Sequence, residues 1–565
     1  MNIIEDVKIK ISEKIAAAYL AAAKNGELLE SKEDIRTLVK LEVPKEKAHG
    51  DFATNISMLL AKELKMPPRK IAEAILSHIE KDKLIEKAEV AGAGFINFYL
   101  ANSYLYPVLK YIEEMGTDYG RIDLGKGKKV MVEFVSANPT GPMHLGNARG
   151  GALGDCLASV LEYAGFDVTR EFYINDAGNQ IEKFGKSLEA RYIQLIKGED
   201  AFEFPEDGYH GEDITEHMKK YIELHGDKLL NVSSEERKEA LISYALEKNI
   251  ASLKADLEKY RIYYDVWFRE SSLHKSGAVS DVINKLTESG YTYEKEDALW
   301  LNCIKMGLEK DEVLVRSNGI PTYFAADIAY HANKLRDRGF DLAIDVWGAD
   351  HHGHVARMKG AMAALGIDPL RLEIVIMQLV RLVRGGETVR MSKRTGKAVT
   401  LNDLLDECST DVARFFFNMR TAGSHLDFDL ELAAREDSEN PVFYVQYAHA
   451  RICSILRVLD EDGIKVKAFS EINPSLLTEE SEITLLKKLA ELPEEIKSAA
   501  LLREPARITR YVIDLATDFH SFYNSCRVKG CGEELTAARL KLIESVKIVI
   551  EGVLSMLKIS APEKM

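Results

Sequence analysis

Apolar residues recur at helical spacing at Leu60, Leu64, Ile71, Ile75 and Ile79, then give way to two short runs, Ala88–Val90 and Gly94–Tyr99, that read as strands. That succession predicts a compact α+β module over residues 1–105. A basic, glycine-rich turn, Gly120–Lys129, leads into Val130–Val135, whose β-branched and nearly continuous apolar character predicts a buried strand. Beyond a Pro/Gly loop, a helix is predicted from His144 to Ala164. Leu153, Cys156, Leu157, Val160, Leu161 and Ala164 share one face, and Gly165 supplies the stop. Phe166–Phe172 reads as the next strand. Strand, helix and strand in this order make a βαβ unit, the start of a parallel nucleotide-binding sheet.

Residues from about 190 to 310 break this pattern. They are acidic, with Gly/Pro/His-rich loops around Phe204–Asp213 and charged helices after them, and read as an insertion. Strand patterns return at Asp341–Trp347 and Leu372–Leu379. From about Asp427 onward the periodicity is that of amphipathic helices, with no strand signal after Arg420. The expectation is a multidomain α/β chain in three parts. An N-terminal α+β module covers 1–105, a Rossmann-like parallel-sheet domain with its insertion covers 106–425, and an α-helical bundle covers 426–565.

Composition narrows the class. A length of 565 residues suits several domains, and 46% hydrophobic with 29% charged residues excludes wholesale disorder. No run of apolar residues is long enough for a membrane span, and the N-terminal MNIIEDVKIKISEK lacks an apolar signal-peptide core. Cys156, Cys303, Cys408, Cys453, Cys526 and Cys531 are scattered and form no CxxC pair. That excludes a disulfide framework and a thiolate zinc site of ordinary spacing, and suits a reduced, cytoplasmic chain. The net charge of −15 decides little, because phosphate binding needs a local basic face.

Two loops carry candidate chemistry. Ala137-Asn138-Pro139-Thr140-Gly141-Pro142-Met143-His144-Leu145-Gly146-Asn147 joins the first strand to a helix N-terminus, where free N–H groups and the dipole attract anions. His144 and Asn147 place two donors on one turn, able to hold a triphosphate as charge develops on it. Arg390-Met391-Ser392-Lys393-Arg394-Thr395-Gly396-Lys397 offers cations that suit a leaving pyrophosphate, with Lys393 as the mobile point charge. Gly348-Ala349-Asp350-His351-His352-Gly353-His354 follows a strand. Its density of Asp and His suits a metal, but its place at a strand end of a parallel sheet suits a nucleotide. Gly120–Gly127 mimics a phosphate loop but has Gly127 where Ser or Thr must meet magnesium, so it is rejected. Glu133 stands inside VMVEFV, and a carboxylate in a buried strand needs a partner or a ligand.

The HxGN turn and the RMSK loop together resemble the HIGH and KMSK signatures of class I aminoacyl-tRNA synthetases. The stretch Glu133–His144 is similar to the arginyl-tRNA synthetase signature, as are Gly50–Asn55, Gly94–Phe98, Tyr323–Asp327 and Arg503–Arg507. Two positions depart from the pattern: the second HIGH histidine is Asn147 and the first KMSK lysine is Arg390. Asn147 keeps a neutral donor and Arg390 keeps the charge. The resemblance implies that arginine and ATP give arginyl-adenylate, and that the arginyl group then passes to the 3′ end of the tRNA for arginine. It implies His144, Asn147 and Lys393 as catalytic groups, and ATP, with Mg2+, on residues 137–147, Gly348, Asp350, His351, His354, Met391, Ser392 and Lys393. It places arginine on Glu133, Ser136, Asn138, Tyr323 and Asp327. A guanidinium presents a planar fork of donors and calls for carboxylates, which agrees with that assignment.

It implies further a tRNA-contacting N-terminal module and a helical anticodon-binding domain in a monomer with no protein-bound metal. In that domain Arg503, Arg507 and Arg510 fall on one helical face for phosphates, opposite a core stripe of Val512, Leu515, Phe519 and Phe522. Tyr444 and Tyr447 are placed to stack on unpaired bases, with core packing the plain alternative. A glutamate-specific relative would want cations at Glu133 and Asp327, and a zinc-using cysteine-specific one would want thiolates that are absent. A nucleotidyltransferase that does not act on tRNA has no use for the helical C-terminus, and an inactive RNA-binding paralogue has none for both signature loops. Lys393→Ala should cut the rate of adenylate formation far more than arginine affinity, read from single-turnover kinetics and binding; equal losses in both would remove Lys393 from that role.

Overall fold

The computed structural model describes residues 2–80, 82–389 and 399–565. The expected pyrophosphate loop, Arg390–Lys397 with Met391, Ser392 and Lys393, lies outside the described residues.

The chain opens with α1 (Ile3–Lys24), whose N-terminus is capped by the Asn2 side chain accepting from the Glu5 N–H. After β1 (Phe52–Thr54), one helical periodicity becomes two helices, α2 (Ile56–Leu64) and α3 (Pro68–Ser77). Lys65 takes a left-handed conformation and Pro68 starts the second helix, so the chain turns between them. Strands β2 (Ile85–Ala91) and β3 (Phe95–Leu100) complete an antiparallel sheet of order β1-β3-β2, and α4 (Pro107–Met115) leads out.

The centre is a five-stranded parallel sheet. Strand β4 (Lys129–Glu133) is followed by α5 (Leu145–Tyr163) and β5 (Asp167–Ile174). Helices α6 (Asn179–Lys197), α7 (Glu212–His225) and α8 (Ser234–Lys259) then pack around their own core of Phe184, Leu188, Tyr192, Met218 and Leu241. The stretch expected as one insertion, about 190–310, is interrupted by β6 (Val266–Arg269), which pairs parallel with β5. A four-residue VWFR strand at the sheet edge is too short for its period to show against the charged helices beside it. Next come α9 (Ala278–Glu288) and an antiparallel sheet of β7 (Thr292–Lys295), β8 (Ala298–Leu301) and β9 (Glu312–Val315). The main sheet resumes through α10 (Tyr323–Ala332), β10 (Leu342–Gly348), α11 (His352–Ala364) and β11 (Leu372–Met377). The strand order β11-β10-β4-β5-β6 puts the topological switch at β4, between β5 and β10. Helix α5 lies close on this sheet because Gly154 has no side chain; a Cβ there would meet the Phe134 ring at 2.3 Å.

Strands β12 (Val380–Arg384) and β13 (Glu387–Val389) precede α12 (Leu401–Glu407) and α13 (Thr410–Phe417). A strand does follow Arg420, against expectation. In β14 (Leu426–Asp429) Leu426 and Phe428 are buried and their neighbours are not, and β14 pairs parallel with β12. The Leu-Asp-Phe-Asp alternation was the readable signal. The chain ends in helices α14 (Pro441–Glu461), α15 (Glu480–Leu502), α16 (Ala506–Ser525) and α17 (Glu533–Met556), with the stripe of Val512, Leu515, Phe519 and Phe522 fully buried.

One buried guanidinium ties these parts together. Arg414 of α13 donates to Asp155 Oδ2 on α5 at 2.5 Å, to the Tyr260 carbonyl closing α8 at 3.1 Å, and to the Leu557 carbonyl closing α17 at 3.0 Å. Asp155 Oδ1 accepts from Arg170 of β5. Arg414→Leu leaves this acid and two carbonyls short of a donor, and should cost about 3–5 kcal/mol. The measurement is the urea midpoint; a shift equivalent to less than about 1 kcal/mol would show that the chain relaxes around the loss.

Candidate active site

The C-terminal ends of β4, β5 and β10 open into two adjoining cavities. One, of about 560 Å³, is lined by Glu133, Tyr173, Glu270, Tyr323, Asp327 and His354 among others. The other, of about 660 Å³, is lined by Asn138, Gly141, His144, Gly146, Asn147 and Leu379 among others. Val135, Ser136, Gly348, Asp350 and His351 face both.

The turn between them is strained. Val135 (φ 68°) and Ser136 (φ 41°) both sit at positive φ, which is costly for a β-branched residue. The kink lets the Ser136 hydroxyl donate to Glu133 Oε1 at 2.8 Å while accepting the Tyr173 N–H at 3.1 Å. The signature loop then runs to α5. His144 precedes the helix, and its N–H donates to Asn147 Oδ1 at 2.9 Å, leaving the amide Nδ2 as the Asn147 donor. The loop is fastened from outside. The Asn249 amide of α8 donates to the Pro139 carbonyl, and the Leu401 N–H donates to the Met143 carbonyl just beyond the undescribed segment.

Of the residues expected around ATP, Ala137, Asn138, Thr140, Gly141, Pro142, His144, Gly146, Asn147, Gly348, Asp350 and His351 line the second cavity. Pro139 and Met143 turn inward and are buried, and Leu145 lies beneath the loop, packed against the core. His354 was expected with them but stands in the other cavity, its Nε2 at 2.7 Å from Asp327 Oδ2. Of the residues expected around arginine, Glu133, Ser136, Tyr323 and Asp327 come together, whereas Asn138 faces the His144 side.

The acid-lined cavity rests on a register that the strands impose. Glu171 of β5, Glu133 of β4 and Asp345 of β10 are direct neighbours across three parallel strands. Helix α10 and the π-helical turn that follows it, Asn333–Asp337, supply their partners. Lys334, fully buried, donates from Nζ to Glu133 Oε2 at 2.5 Å and to Asp345 Oδ1 at 2.8 Å. His331 Nε2 lies 2.7 Å from Asp345 Oδ2, and its Nδ1 lies 2.8 Å from the Asp327 carbonyl. Tyr330 and Arg338 donate to the two oxygens of Glu171 at 2.6 and 2.5 Å.

The protonation states follow from these contacts. Burial alone would raise Asp327, but His331 and His354 hold it below the ordinary carboxylate range, so it stays an anion. Burial would lower the Lys334 ammonium, but Asp345, Glu133 and Glu171 hold it above its usual value. Glu133 is pushed up by its burial, against the pull of Lys334. Sequence reading missed Lys334, His331, Asp345, Glu171 and Glu270. Two signals were present: Glu171 and Asp345 are acids within strands, as Glu133 is, and Asp327, His331 and Lys334 are spaced for one helical face. Nothing in the sequence marks Glu270, which is buried beside Tyr173, with His274 at 3.5 Å. Among the described residues, no group of three His, Cys, Asp or Glu is arranged to hold a metal ion.

The helical C-terminus presents less of a basic face than expected. Arg503 is not on α16 but in a left-handed turn before it, and its guanidinium pairs with Glu373 of β11 at 2.8 and 3.2 Å. Arg507 pairs with Glu495 at 3.1 and 3.2 Å, and Arg510 alone of the three is exposed. Tyr447 is exposed, with the Arg451 guanidinium 4.6 Å above its ring, and half-buried Tyr444 packs on His520 at 4.7 Å.

Comparison with known proteins agrees with this geometry. Residues 5–100 match the arginyl-tRNA synthetase N-terminal domain, 112–419 the catalytic domain of class I (R) tRNA synthetases, and 445–565 the DALR anticodon-binding domain. An arginine–tRNA ligase of Caldanaerobacter subterraneus is 61% identical over 566 residues, and one of Acetivibrio thermocellus 58% over 565, each covering all of both chains. The arginyl-tRNA synthetase structure of Thermus thermophilus shares the fold, with a TM-score of 0.73 at 24% identity over 98% of this chain and 99% of that one. The chain belongs to the arginyl-tRNA synthetase family.

Proposed function

We infer that the two adjoining cavities divide the labour of an arginine–tRNA ligase. The chain joins arginine to ATP, giving arginyl-adenylate and pyrophosphate, and then passes the arginyl group to its tRNA. The observation that carries the division is the contrast between the cavities. One is lined by the carboxylates of Glu133, Glu270 and Asp327, and the other is built on the N-terminus of α5.

In this reading the guanidinium enters between Asp327 and Glu133, with the Tyr323 hydroxyl beside it. The carboxylate of arginine then points past Ser136 toward the His144 cavity. An arginine oxygen attacks the α-phosphorus, forming the anhydride as the bond to pyrophosphate breaks. No side-chain nucleophile is needed; the protein holds the reacting atoms in line and stabilises the charge on the departing phosphates. His144, the Asn147 amide and the N-terminal N–H groups of α5 face that charge, and Gly146 lets a flat base approach the backbone. Lys393 and Ser392, outside the described residues, are assigned to the departing pyrophosphate on their sequence motif alone. Mg2+ accompanies ATP as its phosphate counterion. The exposed Tyr447 and Arg510 serve tRNA, whereas Arg503 and Arg507 reach phosphates only by leaving Glu373 and Glu495.

Among the described residues no helix is long and apolar enough to cross a membrane, and a cytoplasmic monomer is the form proposed. The test is ATP–pyrophosphate exchange with each amino acid, with and without total tRNA. Exchange with arginine only in the presence of tRNA is expected; exchange with another amino acid would keep the class and discard the pocket. Asp327→Asn should raise the arginine KM roughly 10- to 150-fold, the worth of one charged hydrogen bond. The ATP KM should stay within about twofold. A matched rise in both would mean that Asp327 supports the whole site and not the guanidinium.

A further inference from the structure

Glu133 and Asp345 are register neighbours on adjacent strands, and Lys334 bonds to one oxygen of each. The remaining Glu133 oxygen accepts from the Ser136 hydroxyl, so the carboxylate is gripped at both ends while still facing the cavity. We propose that Lys334 is a positioning residue for substrate recognition: its ammonium, clamped between Glu133 and Asp345, holds Glu133 as an aimed carboxylate, so that a guanidinium meets two anions and not one. The proposal rests on the reading that Glu133 and Asp327 receive the guanidinium.

Three observations support it. Lys334 is wholly buried, and a buried ammonium is kept only where it answers a buried charge. It sits in a π-helical turn, the local widening of a helix that recurs at functional sites. It also ends a chain of contacts that runs from one substrate-facing acid to the other: His331 bonds through Nδ1 to the Asp327 carbonyl, with the Asp327 carboxylate 3.5 Å away, and through Nε2 to Asp345, which Lys334 joins to Glu133. Around Glu133, Asp345 and Glu171 come from the flanking strands, Asp327, Tyr330, His331 and Lys334 from α10 and its π turn, Ser136 and Tyr173 from the strand ends, and Tyr264 from the segment before β6. Of these, Lys334 is the cation in direct contact with Glu133, since Arg338 is spent on Glu171. Without it, Glu133 has a buried carboxylate beside it on either strand and takes up a proton at neutral pH.

The test is the pH dependence of the arginine KM between about pH 6.5 and 8.5, compared among the natural chain, Glu133→Gln and Lys334→Gln. The natural chain should give a flat profile. Glu133→Gln should give a raised and flat one, because its amide does not titrate. Lys334→Gln should be raised most at the acid end and fall by up to about tenfold per pH unit as Glu133 ionises, with kcat within about threefold. A Lys334→Gln profile that is raised but flat, or equal to the natural one, overturns the proposal. An unchanged KM in Glu133→Gln overturns instead the reading beneath it. Should Lys334→Gln fail to fold, the double variant Glu133→Gln/Lys334→Met removes one acid with the cation, so that Glu133 is not stranded and Asp345 keeps His331. If Lys334 acts through Glu133, its arginine KM equals that of Glu133→Gln alone; a further severalfold rise overturns the proposal.

Discussion

Parallel strands in register place Glu171, Glu133 and Asp345 side by side, and that row of buried carboxylates is the constraint around which the catalytic centre is built. Each acid taken from water costs several kcal/mol unless a partner stands within hydrogen-bond distance. The strands do not supply those partners: Arg170, the cation next to Glu171 in β5, faces the other side of the sheet and is bound to Asp155 and Glu162. The partners come from α10 and the π turn after it, which deliver Tyr330, His331, Lys334 and Arg338 over one stretch of helix. Helix and row are therefore obligatory to each other: moved along the sheet by one residue, the helix would lose all of these contacts at once. The same helix begins with Tyr323 and carries Asp327, so what neutralises the sheet also fixes the substrate cavity.

A second set of contacts gives the acidic helices between β5 and β6 a structural part in the site. Helix α8 reaches the signature loop through Asn249, which bonds to the Pro139 carbonyl and is itself held by His217. Two turns further on, Asp256 accepts from Asn402 of α12, just past the undescribed segment. Asn249 and Asp256 are seven apart, hence on one helical face. One helix thus braces the loop before α5 and the helix after the second signature loop. Arg414 seals its end by binding the Tyr260 carbonyl.

Much of this was legible in the sequence where a single period dominated. The βαβ unit, the strands at β10 and β11 and the apolar stripe of α16 all follow from uninterrupted runs of one pattern. The misses share a physical origin. β6 and β14 are four residues each, too short for the β-prone VWFR or the alternating LDFD to stand out from their surroundings, and pairing with β5 and β12 fixes them as strands. Arg503 reads as helical from its spacing to Arg507, yet the chain ends α15 there in a left-handed turn that no propensity announces. In the site, the sequence pointed to Glu133 and Asp327 but not to Glu270 beside them or to the cation behind them. An acid inside an apolar strand declares that it needs a partner without saying which distant residue supplies it.

The charge balance of the pocket shows why a cationic side chain belongs there. Glu133, Asp327, Asp345 and Glu171 are four carboxylates, and Lys334 and Arg338 are the two permanent cations bonded to them. His331 takes the second oxygen of Asp345 and His354 one of Asp327, while the Ser136 and Tyr330 hydroxyls take the other oxygens of Glu133 and Glu171. Against its burial and Lys334, Asp345 and Asp327 hold the His331 ring toward its charged form, yet four carboxylates still outnumber these three cations; the cavity is anionic before substrate arrives, and an acidic amino acid would add repulsion to desolvation. Among cations, the discriminating feature is shape. Asp327 and Glu133 come from a helix and from a strand end, so they approach from two directions, which suits a planar fork of donors better than the compact ammonium of lysine. Held between Glu133 and Asp345, Lys334 shows what an ammonium can do in this setting: it fills the space between two carboxylates and stops there, leaving the cavity-facing side of Glu133 for the wider guanidinium.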